Sequence, residues 1–152
     1  MAAPDWTPSV ADVGAILRAR TKDTNGSELG TFSSNTRPTA EGVQQLVATA
    51  LSDVLVRTGP IPSALEDYAR RVVALGGALL VELSYFPEQI QTGRSPYAQL
   101  RVWYDSALER LGLAVDDVNN GGEVGGDEDE LAQLLPLFSF PDPYLAGWNS
   151  RW

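Results

Sequence analysis

The sequence predicts an all-α protein: a small four-helix bundle with a short β-hairpin insertion and an extended C-terminal tail. Apolar residues recur at helical spacing in four stretches between residues 10 and 111, and each stretch begins with a Ser or Thr start signal. Proline and aromatic residues crowd the last 22 positions, where no helical period continues. A chain of 152 residues with 43% apolar and 20% charged residues is typical of one globular domain.

Charge divides the chain into three parts. The formal net charge is −9, and residues 116–130 contain seven acidic residues and no basic residue. This Gly-rich stretch has little apolar surface to bury, so it is typical of a linker. We therefore predict a helical body at 1–115, an acidic flexible linker at 116–130 and a partner-binding tail at 131–152.

The first predicted helix begins at Thr7-Pro8, since Thr can cap a helix and Pro suits its first position. Its apolar residues recur from Val10 to Leu17, and we expect it to end near Arg20. The Asn25-Gly26 dipeptide that follows favours a type I′ hairpin turn, which predicts a short hairpin over about 21–33. Such a ribbon is marginal alone and needs a neighbouring surface.

Three further helices are predicted downstream. The second covers Thr39 to Thr58 and stops at Gly59, and the fourth begins at Ser95-Pro96 and ends near Leu111. The third begins at a Ser63–Glu66 capping box and ends at Pro87. Because it is apolar on nearly all sides after Arg71 and contains Gly76-Gly77, we expect it to be the buried central helix, closely approached by another helix at the two glycines.

Glu82 is the one acidic residue within the apolar part of the third helix. A buried carboxylate needs a partner, so we expect either an ion pair with Arg70, Arg71 or Arg101, or a position at a subunit interface. No nucleophile, base or metal set accompanies Glu82 in the sequence, which argues against a catalytic role.

Composition excludes several function classes. The chain has no Cys and no His, so thiolate nucleophiles, imidazole catalysis and zinc fingers are excluded. The acidic balance disfavours tight binding to nucleic acid, and no apolar run is long enough to span a membrane. A superficial calcium-loop pattern runs from Asp117 to Glu128, but Gly121 lacks the side-chain oxygen expected at the fifth position. We predict a protein that is not an enzyme, with no cofactor and no metal site.

The tail is the strongest candidate for a binding segment. Its three prolines disfavour a continuing helix, and aromatic side chains are preferred anchors at protein interfaces. We therefore predict that the tail fills pockets on a neighbouring protein, although folding back onto its own helices is the alternative. The predicted partner-binding residues are Phe138, Phe140, Tyr144, Trp148 and Trp152.

The chain resembles the head-to-tail adaptor, or connector, proteins of long-tailed phages that infect actinobacteria. The residues on which the resemblance rests are DWTPSVADVGAILRARTKDTNGSELGTFSSNTRPT (Asp5–Thr39), ALLVELSYFPEQIQTGRSPY (Ala78–Tyr97) and the aromatic C-terminus. The resemblance implies a structural virion protein that is assembled in the host cytoplasm. It would form a ring, commonly a dodecamer, between the portal protein and the stopper (head-completion) protein, and DNA would pass through the channel without specific binding.

The resemblance also implies roles for particular segments. The region around Leu137–Trp152 is expected to bind the portal. The predicted hairpin, Thr21–Phe32, is expected to contact an adjacent subunit or the stopper. The resemblance assigns no individual contacts; our own candidates for them are Thr24, Asn25, Gly26 and Phe32 in this segment, and Glu82 because of its apolar surroundings. The residues leave open a different function: a monomeric regulatory module that binds proteins and packs its tail on its own body.

Overall fold

The computed structural model describes residues 3–121, and 67% of these residues are helical. The all-α class predicted from the sequence is confirmed. The described part contains five α-helices rather than the predicted four, because a short helix occupies a predicted loop. No described helix has the length and apolar character needed to cross a membrane. The predicted tail residues Phe138, Phe140, Tyr144, Trp148 and Trp152 lie outside the described residues.

Helix α1 spans Val10–Ile16 and is shorter than predicted at both ends. Its cap is Ser9 rather than Thr7, in a capping box in which Ser9 N–H donates to Asp12 Oδ2 over 2.7 Å. The chain then leaves the α-helix and forms a 3-10 turn at Arg18–Arg20. This turn directs Arg20 towards the protein interior, where it contacts Glu82.

Helix α2 spans Ala40–Thr58, in agreement with the prediction. The Thr39 side chain accepts a hydrogen bond from Gly42 N–H at its start. Gly59 ends the helix with a φ of +73°, a conformation that favours glycine. Local start and stop signals determine this helix at both ends.

Helix α3 spans Glu66–Tyr85 and follows a 3-10 turn at Ser63–Leu65, so the predicted capping box is not formed. The prediction that α3 is the buried central helix is confirmed, since its residues are buried almost continuously from Val72 to Leu79. Pro87 ends α3 as predicted, but it also begins the five-residue helix α4, Pro87–Gln91. A proline at the first helical position loses no hydrogen bond.

Helix α5 spans Tyr97–Asn119 and continues beyond Leu111, where the prediction ended it. Gly112 does not stop the helix, because Leu108, Leu111 and Val115 remain on one buried face across it. The body therefore extends four residues past the predicted boundary at 115.

The predicted hairpin is not confirmed as a pair of strands. Only two isolated bridges form in this segment, Lys22 with Glu28 and Asp23 with Thr36. Gly26 has a φ of +84°, but Asn25 does not, so the type I′ turn is absent. The Asp23 side chain instead accepts hydrogen bonds from Asn25 N–H and Ser27 N–H, which holds the tip in a side-chain-stabilised turn.

The close approach predicted at the two central glycines is present. A Cβ at Gly76 would lie 3.0 Å from Tyr104 Cε2 on α5 and 3.1 Å from Ala50 Cβ on α2. At Gly77, a Cβ would lie 3.2 Å from Val47 Cγ2. The absence of side chains at these two positions lets α2 and α5 pack against the α3 backbone.

Candidate functional sites

A buried polar cluster lies at the C-terminal end of α3. Glu82 is fully buried and accepts two hydrogen bonds from Arg20, Nε to Oε1 over 2.7 Å and Nη2 to Oε2 over 2.8 Å. The Ser95 hydroxyl donates a third to Oε2 over 2.6 Å. The Arg20 guanidinium also lies 3.9 Å from the centre of the Phe86 ring. These four residues form what we call the Glu82 cluster.

The Glu82 cluster joins three separate segments of the chain. Arg20 comes from the turn after α1, Glu82 and Phe86 from the end of α3, and Ser95 from the loop before α5. Among the described residues, no buried side-chain nitrogen or oxygen atom lacks a hydrogen-bond partner. A bidentate, fully hydrogen-bonded carboxylate of this kind fixes the relative positions of the three segments.

The predicted partners of Glu82 are wrong. Arg70 instead pairs with Asp12 on α1 over 2.9 Å, and Arg101 pairs with Asp105 over 3.5 Å. Arg20 lies 62 residues from Glu82 in the sequence, and the 3-10 turn that directs it inward has no clear sequence signal. Because the Glu82 side chain is enclosed by its own chain, it presents no surface to an adjacent subunit in this structure.

The predicted contact residues in the 21–38 segment fall into two groups. Thr24, Asn25 and Gly26 are exposed at the tip of the loop. Phe32 is only 4% exposed and belongs to the hydrophobic core, so its predicted role as a contact is not compatible with its position here. The sequence did not indicate that Phe32 is buried, because an isolated aromatic residue in a polar loop is equally consistent with a buried and with an exposed position.

The 21–38 segment is anchored at both ends. The Thr21 side chain is fully buried and donates to Arg18 O over 2.8 Å. The Thr36 hydroxyl lies close to two carbonyl oxygens, 3.0 Å from Ser33 O and 2.7 Å from Pro38 O, and accepts from Ser33 N–H. Residues 24–30 between these anchors are exposed without interruption. The loop therefore presents its exposed tip from a fixed base.

A groove of about 160 Å³ lies between α2, α3 and α5, and no pattern in the sequence predicts it. Side chains from all three helices line it, with apolar and aromatic groups beside charged groups. Burial raises the pKa of the Tyr104 hydroxyl in the groove, an effect that nearby Arg57 opposes. We call this site the α2–α3–α5 groove; its lining includes Arg57, Leu80, Leu83, Tyr97, Arg101 and Tyr104.

The groove includes an exposed apolar side chain. Leu83, in its lining, is 51% exposed. Val56 on α2 and Val102 on α5 are also exposed, at 86% and 66%, but neither lines the groove. These are three of the six large apolar side chains that are exposed in the described part of the chain. Apolar groups with a few charged groups at the edge are typical of a site that binds another polypeptide.

The superficial calcium-loop pattern begins inside α5. Asp117 and Asn119 both belong to the helix, and the rest of the pattern beyond Gly121 lies outside the described residues. Within residues 3–121, no cluster of three acidic side chains is arranged to hold a metal ion.

Comparison with known proteins gives no assignment: no family model, no curated protein and no solved structure matches this chain. The sites described above therefore rest on their own geometry and chemistry.

Proposed function

We propose that this protein is a structural neck adaptor of a long-tailed phage. It would form a ring that joins the portal protein to the stopper protein and extends the DNA channel. Its C-terminal segment would bind the portal, and the exposed tip of the 21–38 segment would contact an adjacent subunit or the stopper. A ring of this kind requires a contact between two different surfaces of neighbouring subunits.

The observation on which the proposal rests is the position of the two internal segments that resemble phage adaptors. Asp5–Thr39 contains Arg20, and Ala78–Tyr97 contains Glu82 and Ser95. These three side chains meet in the Glu82 cluster, although 62 residues separate the first two. The two similar segments thus meet in one cluster, and its Arg20 directly precedes Thr21, one of the two anchors of the exposed loop tip.

The composition of the tail supports a binding role. Five of the 13 aromatic residues of the chain fall in the last 15 positions. Each aromatic side chain buried in a partner contributes roughly 1.5–3 kcal/mol, and several copies in a ring add avidity. A net charge of −9 also suits a channel through which DNA must slide without binding.

The experiment is native mass spectrometry of the protein mixed with the portal ring of the same particle. We expect the isolated protein to be monomeric or weakly associated and to bind the portal ring in many copies. Deletion of 137–152 should abolish binding while the helical circular dichroism signal is retained. A matched control, Asp127→Asn with Glu128→Gln, alters the acidic linker but keeps every aromatic residue, and should bind normally.

Two outcomes would contradict the proposal. Portal binding that survives the deletion of 137–152 would reject the assignment of the tail. No portal binding by the intact chain would favour the second candidate, a monomeric regulatory module that binds proteins, for which the α2–α3–α5 groove is the observation in favour.

A further inference from the structure

The 21–38 loop presents an exposed leucine beside two exposed charges. Leu29 is 44% exposed, and its N–H donates to Thr21 O over 2.9 Å, which ties it to one of the two anchors of the loop. Glu28 precedes it in the sequence, and Lys22 Nζ lies 4.0 Å from Glu28 Oε1. Both charged side chains are more than half exposed. This end of the loop thus offers solvent one apolar group and two opposite charges on a fixed backbone.

The α2–α3–α5 groove has room for a leucine side chain. Its volume is about 160 Å³. A protein cavity of about 150 Å³ accepts benzene, which has more carbon atoms than the side chain of leucine. Leu79, Leu80 and Leu83 line the groove with apolar surface, and Tyr97 and Tyr104 line it with aromatic surface. The groove therefore suits a single branched apolar side chain, which loses contact with water when it enters.

The charges at the groove are complementary to those of the loop. Asp53 and Arg57 lie one helical turn apart on its α2 side, and neither forms a salt bridge with another described residue. The two charged lining residues on α5 pair with each other. Arg57 is thus available to the carboxylate of Glu28. Asp53 is available to the ammonium group of Lys22, so both contacts between a loop and a groove are attractive.

The loop and the groove lie on different faces of the helical body. The backbone of α3 faces α5 at Gly76, whereas at Gly77, about 100° further round the helix, it faces α1. The groove is lined on the α5 side. The loop packs on the α1 side, because a Cβ at Gly14 would lie 3.1 Å from Thr31 Cα. A contact between loop and groove therefore joins two different surfaces, as a ring of identical subunits requires.

We infer that, in the ring proposed above, Leu29 of one subunit occupies the α2–α3–α5 groove of the next. Glu28 of the first subunit then pairs with Arg57 of the second, and the Lys22 and Asp53 side chains form the adjacent pair. This inference rests on the proposed ring and names the two surfaces by which its subunits meet. One leucine and two exposed ion pairs bind weakly in a single pair of subunits, so the contact is completed only when many copies assemble on one portal.

The test is disulfide cross-linking between two variants of the full-length chain. Because the sequence has no Cys, Leu29→Cys in one sample and Leu83→Cys in the other each provide a single thiol, and cysteine keeps both positions apolar. An affinity tag on the second variant distinguishes the mixed dimer by mass from dimers of either variant alone. When the two samples are mixed and oxidised by air with a copper catalyst, we expect the mixed dimer.

Leu113→Cys in place of Leu83→Cys is the matched control. Leu113 is also an exposed leucine, at 65%, but it does not line the groove. It should give only the yield of random collisions, and circular dichroism checks that all three variants are folded. The inference is overturned if no mixed dimer forms, or if Leu113→Cys gives as much of it as Leu83→Cys.

Charge reversal tests the predicted pairing. Arg57→Glu, added to the Leu83→Cys chain, should slow cross-linking by about two- to fivefold, the range expected for one exposed ion pair. Glu28→Arg, added to the Leu29→Cys chain, should restore the rate, because the reversed pair is again attractive. A loss that Glu28→Arg does not restore, or no loss at all, would overturn the assignment of this pair.

The cross-linking result is separate from portal binding. Portal binding in many copies without a mixed dimer would overturn the loop–groove contact and leave the proposed function standing. A mixed dimer without portal binding would support the contact between copies and contradict the neck function.

Discussion

The middle and the end of helix α3 are held in the structure by different kinds of interaction. In the middle, Gly76 and Gly77 allow α2 and α5 to pack closely against the helix backbone, and the contacts are apolar. At the end, Glu82 is held by the guanidinium of Arg20 and the hydroxyl of Ser95. The same 20-residue helix thus has a close-packed apolar centre and a charged, hydrogen-bonded terminus.

Different kinds of substitution destabilise the two regions. Close packing around a glycine is disrupted by added volume, because neighbouring side chains and backbones must shift to admit a new side chain. A buried ion pair tolerates replacement of both partners but not removal of one, because the remaining charge is left in a low-dielectric interior. The following four substitutions test this contrast, from the largest expected effect to the smallest.

Glu82→Ala should destabilise the protein most, by about 3–5 kcal/mol, because it leaves the largely buried Arg20 guanidinium without its carboxylate. Urea denaturation followed by circular dichroism measures the loss. The control is Asp105→Ala, which breaks the exposed pair with Arg101 and should cost less than about 1 kcal/mol. Equal losses for the two substitutions would contradict the structural importance of the Glu82 cluster.

Gly76→Val should destabilise the protein by about 1–3 kcal/mol, since its Cβ alone would lie 3.0 Å from Tyr104 and 3.1 Å from Ala50. Thermal unfolding at matched protein concentration measures the effect. Combining it with Ala50→Gly should recover part of the loss, because the double variant removes one of the two clashes. If the two effects are simply additive, α2 does not approach α3 as closely as described.

Gly112→Ala should stabilise the protein by about 0.5–1 kcal/mol, because alanine favours a helix over glycine. Apart from its chain neighbours and the backbone of its own helix, no heavy atom of the described residues lies within 4 Å of the position that its Cβ would occupy. Gly76→Ala is the matched comparison, and it should gain less stability or lose some. Chemical denaturation of both variants gives the difference, and an identical gain at the two sites would contradict the tight packing at Gly76.

Asp12→Asn should have the smallest effect, less than about 1 kcal/mol at neutral pH, since the Asp12–Arg70 pair is partly exposed. Burial acts to raise the pKa of Asp12, but hydrogen bonds from Arg70 and Ser9 outweigh it and lower that pKa below its ordinary value of 3.8. The carboxylate therefore adds stability above pH 3.8, and this stability is lost as the pH falls through the lower pKa of the folded protein.

The free energy of unfolding measured at acidic pH checks this last prediction. Denaturation between pH 6 and pH 2.5 should show a shallower loss for Asp12→Asn than for the original sequence below about pH 4. Glu28→Gln serves as the control, because its pair with Lys22 is longer, at 4.0 Å, and both side chains are largely exposed. A shallower limb for the control alone would contradict the assignment to Asp12.

Local signals made the helices predictable. Thr39 and Gly59 define α2 through hydrogen bonding and backbone conformation that depend on adjacent residues alone. The central position of α3 was predicted from its own apolar residues, which lie on nearly all sides of the helix, and from its two adjacent glycines. Gly112 was misleading because the apolar face continues past it at Leu111 and Val115, and packing of this face outweighs the low helix propensity of glycine.

Long-range polar contacts were not predictable in the same way. The partner of Glu82 depends on a 3-10 turn that reorients Arg20, and no residue near Glu82 reveals it. The α2–α3–α5 groove also depends on how three helices sit together, so its lining residues have no common spacing along the chain. Charge pairing predicts that a buried carboxylate has a partner, but only the tertiary structure identifies which one.

Because the 21–38 loop is anchored at its base, a change at its exposed tip should affect binding to other molecules without affecting folding. Since doubling the length of a loop costs only about 0.6 kcal/mol, a peptide epitope inserted within residues 24–30 should leave the anchors at Thr21 and Thr36 in place. Such a chain would still fold while presenting an obstacle to whichever molecule docks on the tip. An antibody against the epitope would then report whether that surface is covered.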